Sequence, residues 1–111
     1  MDKKIMISVL LDFYGQLLSP RQLEMMNYYY NDDLSLREIA EMSGITRQGV
    51  YDIIKRSDTF LEELEEKLHL YHKWQSIEQD LNNVEMTLQT VVGNENCKRA
   101  IEMIEQIKNK F

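Results

Sequence analysis

A chain of 111 residues that is 43% apolar and 29% charged has enough apolar side chains for a core, which excludes a disordered or low-complexity protein. Its single cysteine excludes an intrachain disulfide and favours a reducing compartment, so we expect a cytoplasmic protein. The net charge of −6 excludes a uniformly basic nucleic-acid binder. Four glycines and one proline among many strong helix formers predict an all-α fold.

The first predicted helix begins after Asp2, whose carboxylate can cap it, and should end near Leu18. Its 3–4 spacing predicts an apolar face made of Ile5, Val9, Leu10, Phe13 and Leu17. The apolar run over residues 5–11 is too short to span a bilayer, and we expect no membrane partner.

Two capping boxes predict the next helix starts. Gln22 lies three residues after Ser19, and Glu38 three residues after Ser35. In each pair the serine hydroxyl can accept the backbone N–H of the later residue, whose side chain can accept the backbone N–H of the serine. The two helices are expected to cover residues 20–31 and 36–42.

Residues 36–56 have the features of a helix-turn-helix. Gly44 can take the left-handed conformation that ends the supporting helix, and Thr46 can cap a fourth helix through Arg56. Ala40 is small where the two helices must approach closely. The apolar positions that would lock the helices together are Ile39, Ile45, Val50 and Ile53.

Burying that apolar face would leave the polar side chains of the fourth helix on the outside. Arg47 and Gln48 are the predicted base readers, because arginine pairs bidentately with guanine and glutamine with adenine. The segment from Arg47 to Arg56 has three cations and one anion and is therefore locally basic. The full predicted DNA-binding set is Thr46, Arg47, Gln48, Tyr51, Lys55 and Arg56.

The remaining chain, residues 59–111, is predicted to be a helical extension. No proline or glycine interrupts residues 59–92, where apolar residues recur every three or four positions, so we expect one long amphipathic helix or two with a kink. Gly93 should end it, and a short last helix would place Cys97, Ala100, Ile101, Ile104 and Ile107 on one face. Part of so long an apolar stripe should pack against a partner chain or a returning helix, and the extension is the predicted dimerisation region.

Other patterns favour structural roles over chemistry. Glu66 and His69 have a metal-ligand spacing near His72, Glu62 and Glu65, but a di-iron site needs a second such pair, so we expect a solvated face, no metal and no cofactor. Cys97 has apolar neighbours and no predicted catalytic partners. Tyr28, Tyr29 and Tyr30 should be shared between core and surface, and the acidic residues at 62, 63, 65 and 66 should face solvent or a basic protein. We expect no enzyme.

Two segments, Asp32–Glu41 and Thr46–Asp52, resemble the YlxM family, and the resemblance covers nearly the whole chain. The helix-turn-helix is similar to region four of bacterial sigma factors, which reads promoter DNA. This chain has Gly49 where the family commonly has alanine and Ile53 where asparagine is common. Family members are linked by gene neighbourhood to the signal recognition particle protein Ffh and its receptor FtsY, so the resemblance implies a regulatory role in that pathway.

We therefore expect a single all-helical domain over 1–111, containing a sigma-like unit at 19–57. Its predicted function is DNA-binding regulation by a homodimer on two half-sites. Two alternatives remain open: an adaptor that binds signal recognition particle protein or RNA, and a three-helix packing unit with a merely solvated surface.

Overall fold

The computed structural model describes residues 2–91 and 93–110, and this part of the chain is helical with no strand. The all-α prediction is confirmed. The helices are α1 (Lys3–Tyr14), α2 (Pro20–Tyr30), α3 (Leu36–Ser43), α4 (Arg47–Leu68), α5 (Leu70–Gln89) and α6 (Glu95–Lys108), with a 3-10 turn at Gly15–Leu17.

Side-chain caps begin the helices where the sequence predicts them. The Ser19 and Ser35 hydroxyls accept the backbone N–H groups of Gln22 and Glu38, and both capping boxes are complete. Thr46 Oγ1 accepts the N–H of Gly49 at 3.0 Å at the start of α4. Because capping is local, sequence spacing is enough to place these helix starts.

The predicted end of the first helix near Leu18 holds only when a 3-10 turn is counted with α1. Its predicted apolar face is right in part, because Leu10 is buried and Val9 and Phe13 pack against the core. The α-helix ends at Tyr14 and a 3-10 turn completes the segment to Leu17. Ile5 and Leu17 are more than half exposed, whereas the buried side chains are Ile7, Leu10, Leu11 and Tyr14. Since eight of the twelve residues of α1 are apolar, two overlapping faces have helical spacing, and only tertiary packing selects between them.

The predicted end of α4 at Arg56 is wrong, because the helix continues to Leu68. Ser57 and Thr59 look like caps, yet their hydroxyls donate to carbonyls four residues earlier in the same helix, at 2.8 and 3.1 Å. Asp58 points to α2 instead. Ser57, Asp58 and Thr59 therefore all lie within α4 and do not start a new helix.

The break in the predicted long helix lies at His69, which has a left-handed backbone with φ of +56°. Two side chains accept hydrogen bonds from the backbone N–H groups of the next two residues, Leu70 and Tyr71. Tyr14 Oη accepts from the backbone N–H of Leu70 at 3.1 Å, and Glu65 Oε1 accepts from that of Tyr71 at 3.0 Å. Tyr14 also donates to Glu65 at 2.7 Å, so the prediction that Glu65 faces solvent or a partner is wrong.

The described residues divide into two compact units, one extending to Tyr71 and one beginning at His72. The core of the first unit draws on α1 to α4, and so extends beyond the predicted unit at 19–57. In the second unit, α6 buries Ile104, and Lys108 of α6 pairs with Glu85 of α5 at 2.8 Å. The predicted α6 face is half-buried at Cys97, Ala100 and Ile101, whereas Ile107 is exposed.

Candidate nucleic-acid interface

The turn between α3 and α4 holds the two helices in a helix-turn-helix arrangement. Gly44 has a left-handed backbone, with φ of +71°, and its N–H donates to the carbonyl of Ala40 at 3.0 Å. Ile39 and Val50 are fully buried, one from each helix, while Ala40, Ile45 and Ile53 are half-buried beside them. This apolar contact fixes which side of α4 faces away from the core.

The outer side of α4 carries all the residues predicted to bind DNA. Each of them is exposed, and they form two neighbouring rows along the helix. One row has Arg47, Tyr51 and Lys55 at spacings of four, and the other has Gln48, Asp52 and Arg56. Thr46 stands at the N-terminal end, where its side chain caps the helix.

Gln48 and Asp52 are bonded to each other. The side-chain amide of Gln48 donates to Asp52 Oδ1 at 2.9 Å, and Arg56 Nε donates to the backbone carbonyl of Asp52. A Gln–Asp pair four residues apart is a recognised helix-stabilising pair, and this spacing could have indicated the contact from sequence. The sequence places Asp52 on the outward side of α4 but leaves it out of the predicted DNA-binding set, and its bond to Gln48 adds it to the candidate surface.

Two open clefts border this surface. One, of about 460 Å³, is lined by Leu36, Arg47, Gln48 and Tyr51. The second, of about 360 Å³, lies between α4 and the ends of α1 and α2 and is lined by Asp2, Lys3, Lys4, Tyr29, Tyr30, Leu36, Tyr51, Ile54, Lys55 and Asp58. Leu36 and Tyr51 line both clefts, so the two are adjacent. Sequence reasoning missed Lys3 and Lys4, because no local pattern brings α1 next to α4.

Comparison with known proteins identifies the family. The family described as "Putative helix-turn-helix protein, YlxM / p13 like", UPF0122, matches residues 1–107. The chain belongs to this family. A UPF0122 protein of Acetivibrio thermocellus is 45% identical over 114 residues, covering 96% of this chain and 97% of the relative.

Two further UPF0122 relatives match different shares of the chain. A protein of Clostridium kluyveri is 39% identical over 98% of this chain and 95% of its own length. One from Oceanobacillus iheyensis is 51% identical over 68% of this chain and 71% of its own. The predicted resemblance to the YlxM family is thereby confirmed, and the helix-turn-helix arrangement of α3 and α4 agrees with the family's description.

A buried carboxyl group links α4 to α2. Asp58 is 5% exposed, and both of its carboxylate oxygens accept from the hydroxyl of Tyr30, at 2.8 and 2.9 Å. Burial raises the pKa of Asp58, and the nearby Glu62 carboxylate raises it further. The hydrogen bond from Tyr30 and the charges of Lys3 and Lys55 lower this pKa, but the net shift is upward. Burial and the same hydrogen bond raise the pKa of Tyr30. The pair fixes the rotation of α4 against α2.

Replacing Asp58 with asparagine should change how stability depends on pH. Because the folded-state pKa of Asp58 is raised, its contribution to stability is complete below its ordinary pKa of about 4 and is lost as the pH rises through the raised value. Urea unfolding at several pH values should show Asp58→Asn gaining stability relative to the unsubstituted protein as the pH rises from about 4 to 7. A stability difference that does not vary with pH would contradict this assignment.

The other patterns in the sequence do not form reactive sites within the described residues. No group of three or more His, Cys, Asp or Glu side chains there could hold a metal ion. Cys97 is half-buried and in no disulfide. Tyr28, Tyr29 and Tyr30 are each half-buried; Tyr29 and Tyr30 meet edge to face at 4.9 Å rather than forming a stacking platform. No helix in residues 2–91 and 93–110 combines the length and apolarity needed to cross a bilayer.

Proposed function

We propose that this protein binds double-stranded DNA as a regulator and that the N-terminal half of α4 enters the major groove. The observation that carries the proposal is that α4 has one side buried in the core and the opposite side exposed. Val50 and Ile54 anchor α4 in the core, while Arg47, Gln48 and Tyr51 are exposed at its N-terminal end. In helix-turn-helix proteins the recognition helix reads base edges with residues at this end.

The side chains divide by chemistry into base readers and phosphate contacts. Arg47 can donate two bonds to guanine, and Gln48 can pair with adenine when its amide leaves Asp52. Lys55 and Arg56 lie two turns further along α4 and suit phosphate oxygens, and the Tyr51 hydroxyl can donate to the same backbone. The Asp52 carboxylate can accept only from a base amino group, such as N4 of cytosine.

A second copy of the chain completes the site in this proposal. One recognition segment has three cations and one anion on a chain of net charge −6, so a single copy can neutralise few phosphates. On α5, Ile77, Leu81, Val84 and Leu88 follow the alternating four and three spacing of a coiled-coil seam. Ile77 is 44% exposed and Val84 is 49% exposed, so the seam is available to the same seam of a second copy.

Replacing both base readers tests the proposal. Duplexes are first selected from a randomised library with the full chain, and the affinity for the enriched duplex is compared with that for its scrambled version. Arg47→Ala and Gln48→Ala should each reduce the preference for the enriched duplex by about 1–3 kcal/mol, the usual value of a bidentate base contact. The matched control is Lys73→Ala with Gln79→Ala, which likewise removes one cation and one glutamine, here from exposed positions of α5.

Three results would contradict the proposal at different points. No enrichment of any duplex over the input library would exclude sequence-specific DNA binding. An unchanged preference in the double variant would show that Arg47 and Gln48 are not the readers. Sequencing the nucleic acid that crosslinks to the protein in cells separates the DNA proposal from an RNA adaptor, because recovery of RNA alone would favour the adaptor.

A further inference from the structure

The cleft lined by Lys3, Lys4 and Lys55 adjoins the reading surface. The two clefts share Leu36 and Tyr51, so the row formed by Arg47, Tyr51 and Lys55 leads directly to the lysines at the start of α1. These lysines come from the first turn of α1 and the middle of α4, more than 50 residues apart in sequence. The fold thus brings two further cations to the recognition helix, beyond the three in its own segment.

The acidic side chains in this cleft are already engaged with protein groups. Asp2 accepts the backbone N–H of Lys4 at 3.2 Å, and Asp58 is buried and accepts from Tyr30. Asp33, in the middle of the α2–α3 loop, pairs with Lys4 Nζ at 2.7 Å. The hydrogen bond to Asp33 raises the pKa of Lys4.

The ion pairs of both α1 lysines are solvent-exposed and therefore replaceable. Lys3 Nζ lies 3.9 Å from Glu62, with the two side chains 59% and 50% exposed. The Asp33 side chain, which holds Lys4, is 83% exposed. Exposed pairs of this kind contribute little to stability, so a phosphate oxygen can compete for the ammonium groups.

We propose that Lys3 and Lys4, together with Lys55, form a phosphate-binding surface that holds the DNA backbone beside the groove read by α4. The inference rests on the proposed function and extends it, because it assigns backbone contacts to a helix outside the helix-turn-helix. Phosphate contacts position a protein on the duplex without reading its sequence. Lys3 and Lys4 therefore affect the strength of binding, whereas Arg47 and Gln48 affect its sequence preference.

The test compares Lys3→Gln/Lys4→Gln with the unsubstituted protein on the enriched and the scrambled duplex, over salt from about 50 to 200 mM. The double variant should lose the same factor in affinity for both duplexes, and its slope of log affinity against log salt should fall by about 2, one per phosphate contact. The control, Lys67→Gln/Lys73→Gln, removes two exposed lysines from other parts of the chain and should keep the original slope.

Asp33→Asn supplies a test in the opposite direction. It removes the carboxylate that competes for Lys4, and asparagine tolerates the left-handed backbone at this position, where φ is +58°. This variant should bind both duplexes more tightly than the unsubstituted protein. Far-ultraviolet circular dichroism and thermal melting establish that each variant is folded.

The possible failures are distinguishable. If Lys3→Gln/Lys4→Gln keeps the original slope and affinity while Arg47→Ala still loses sequence preference, the phosphate surface is wrong and the proposed function stands. If the unsubstituted protein binds neither duplex, the proposed function is wrong and this inference falls with it. A selective loss on the enriched duplex alone would also overturn the inference, because it would make the two lysines base readers.

Discussion

Ile77→Asp with Val84→Asp should make the protein monomeric and weaken its binding to a two-half-site duplex by about 10²–10⁴, the usual range of avidity lost with a second copy. Both residues lie on the α5 seam, one heptad apart and about half exposed. In a dimer each aspartate would face the same aspartate or an apolar neighbour on the partner, and burying an unpaired charge there is costly. Sedimentation equilibrium measures the assembly state, and titration of the enriched duplex measures the affinity.

The matched control for this variant lies on the same helix. Ser76 and Asn83 each precede a seam residue by one position, are exposed, and point to a different side of α5. Ser76→Asp with Asn83→Asp adds the same two charges and should leave both the dimer and the DNA affinity unchanged. Dimerisation that survives substitution of the seam, or an unsubstituted protein that sediments as a monomer at micromolar concentration, would exclude the α5 seam as the interface.

Ile39→Ala should lower the free energy of unfolding by about 2–5 kcal/mol, the usual cost of a buried isoleucine truncation. Ile39 is fully buried on α3 in the same core cluster as Val50 of α4. The truncation leaves a cavity at the contact that orients the recognition helix. Urea unfolding measures the loss.

Met42→Ala is the control for that experiment, since Met42 is on the same helix and 59% exposed. Truncation of an exposed side chain should change stability by no more than about 0.5 kcal/mol. Equal losses from the two variants would contradict the packing described for α3. A loss confined to Ile39→Ala should also weaken DNA binding wherever the unfolded fraction becomes appreciable.

The elements that sequence predicts correctly are those set by neighbouring residues. Ser19 with Gln22 and Ser35 with Glu38 satisfy helix N–H groups within one turn, and Gly44 supplies the left-handed residue of the turn by itself. The outward side of α4 is also predicted correctly from nearby residues, because Val50 and Ile53, which the pattern assigns to the inner side, are buried and half-buried. These features can be predicted from the sequence because no distant residue changes the local structure.

The features that sequence misses depend on distant residues. Ser57 and Thr59 carry the chemistry of a helix start, and only the packing of α4 against α1 and α2 shows that the helix runs through them. Lys3 and Lys4 reach the candidate DNA surface through tertiary structure. The buried face of α1 is also selected by its partners, including the bond from Tyr14 to Glu65. Local propensity is a weak guide wherever such contacts decide.

The left-handed residue at His69 has a consequence for the order in which the protein folds. Residues 47–89 contain no proline and only Gly49, so local preference alone favours an uninterrupted helix through this point. Of the two bonds that compensate for the break, the one to Glu65 is local, whereas the one to Tyr14 joins residues 56 positions apart; Tyr14 also bonds to Glu65, 51 residues away. Contacts of such long sequence separation form late, because closing a large loop is entropically costly. The N–H of Leu70 therefore gains its Tyr14 partner only once α1 has docked, and docking of α1 stabilises the end of α4 at His69.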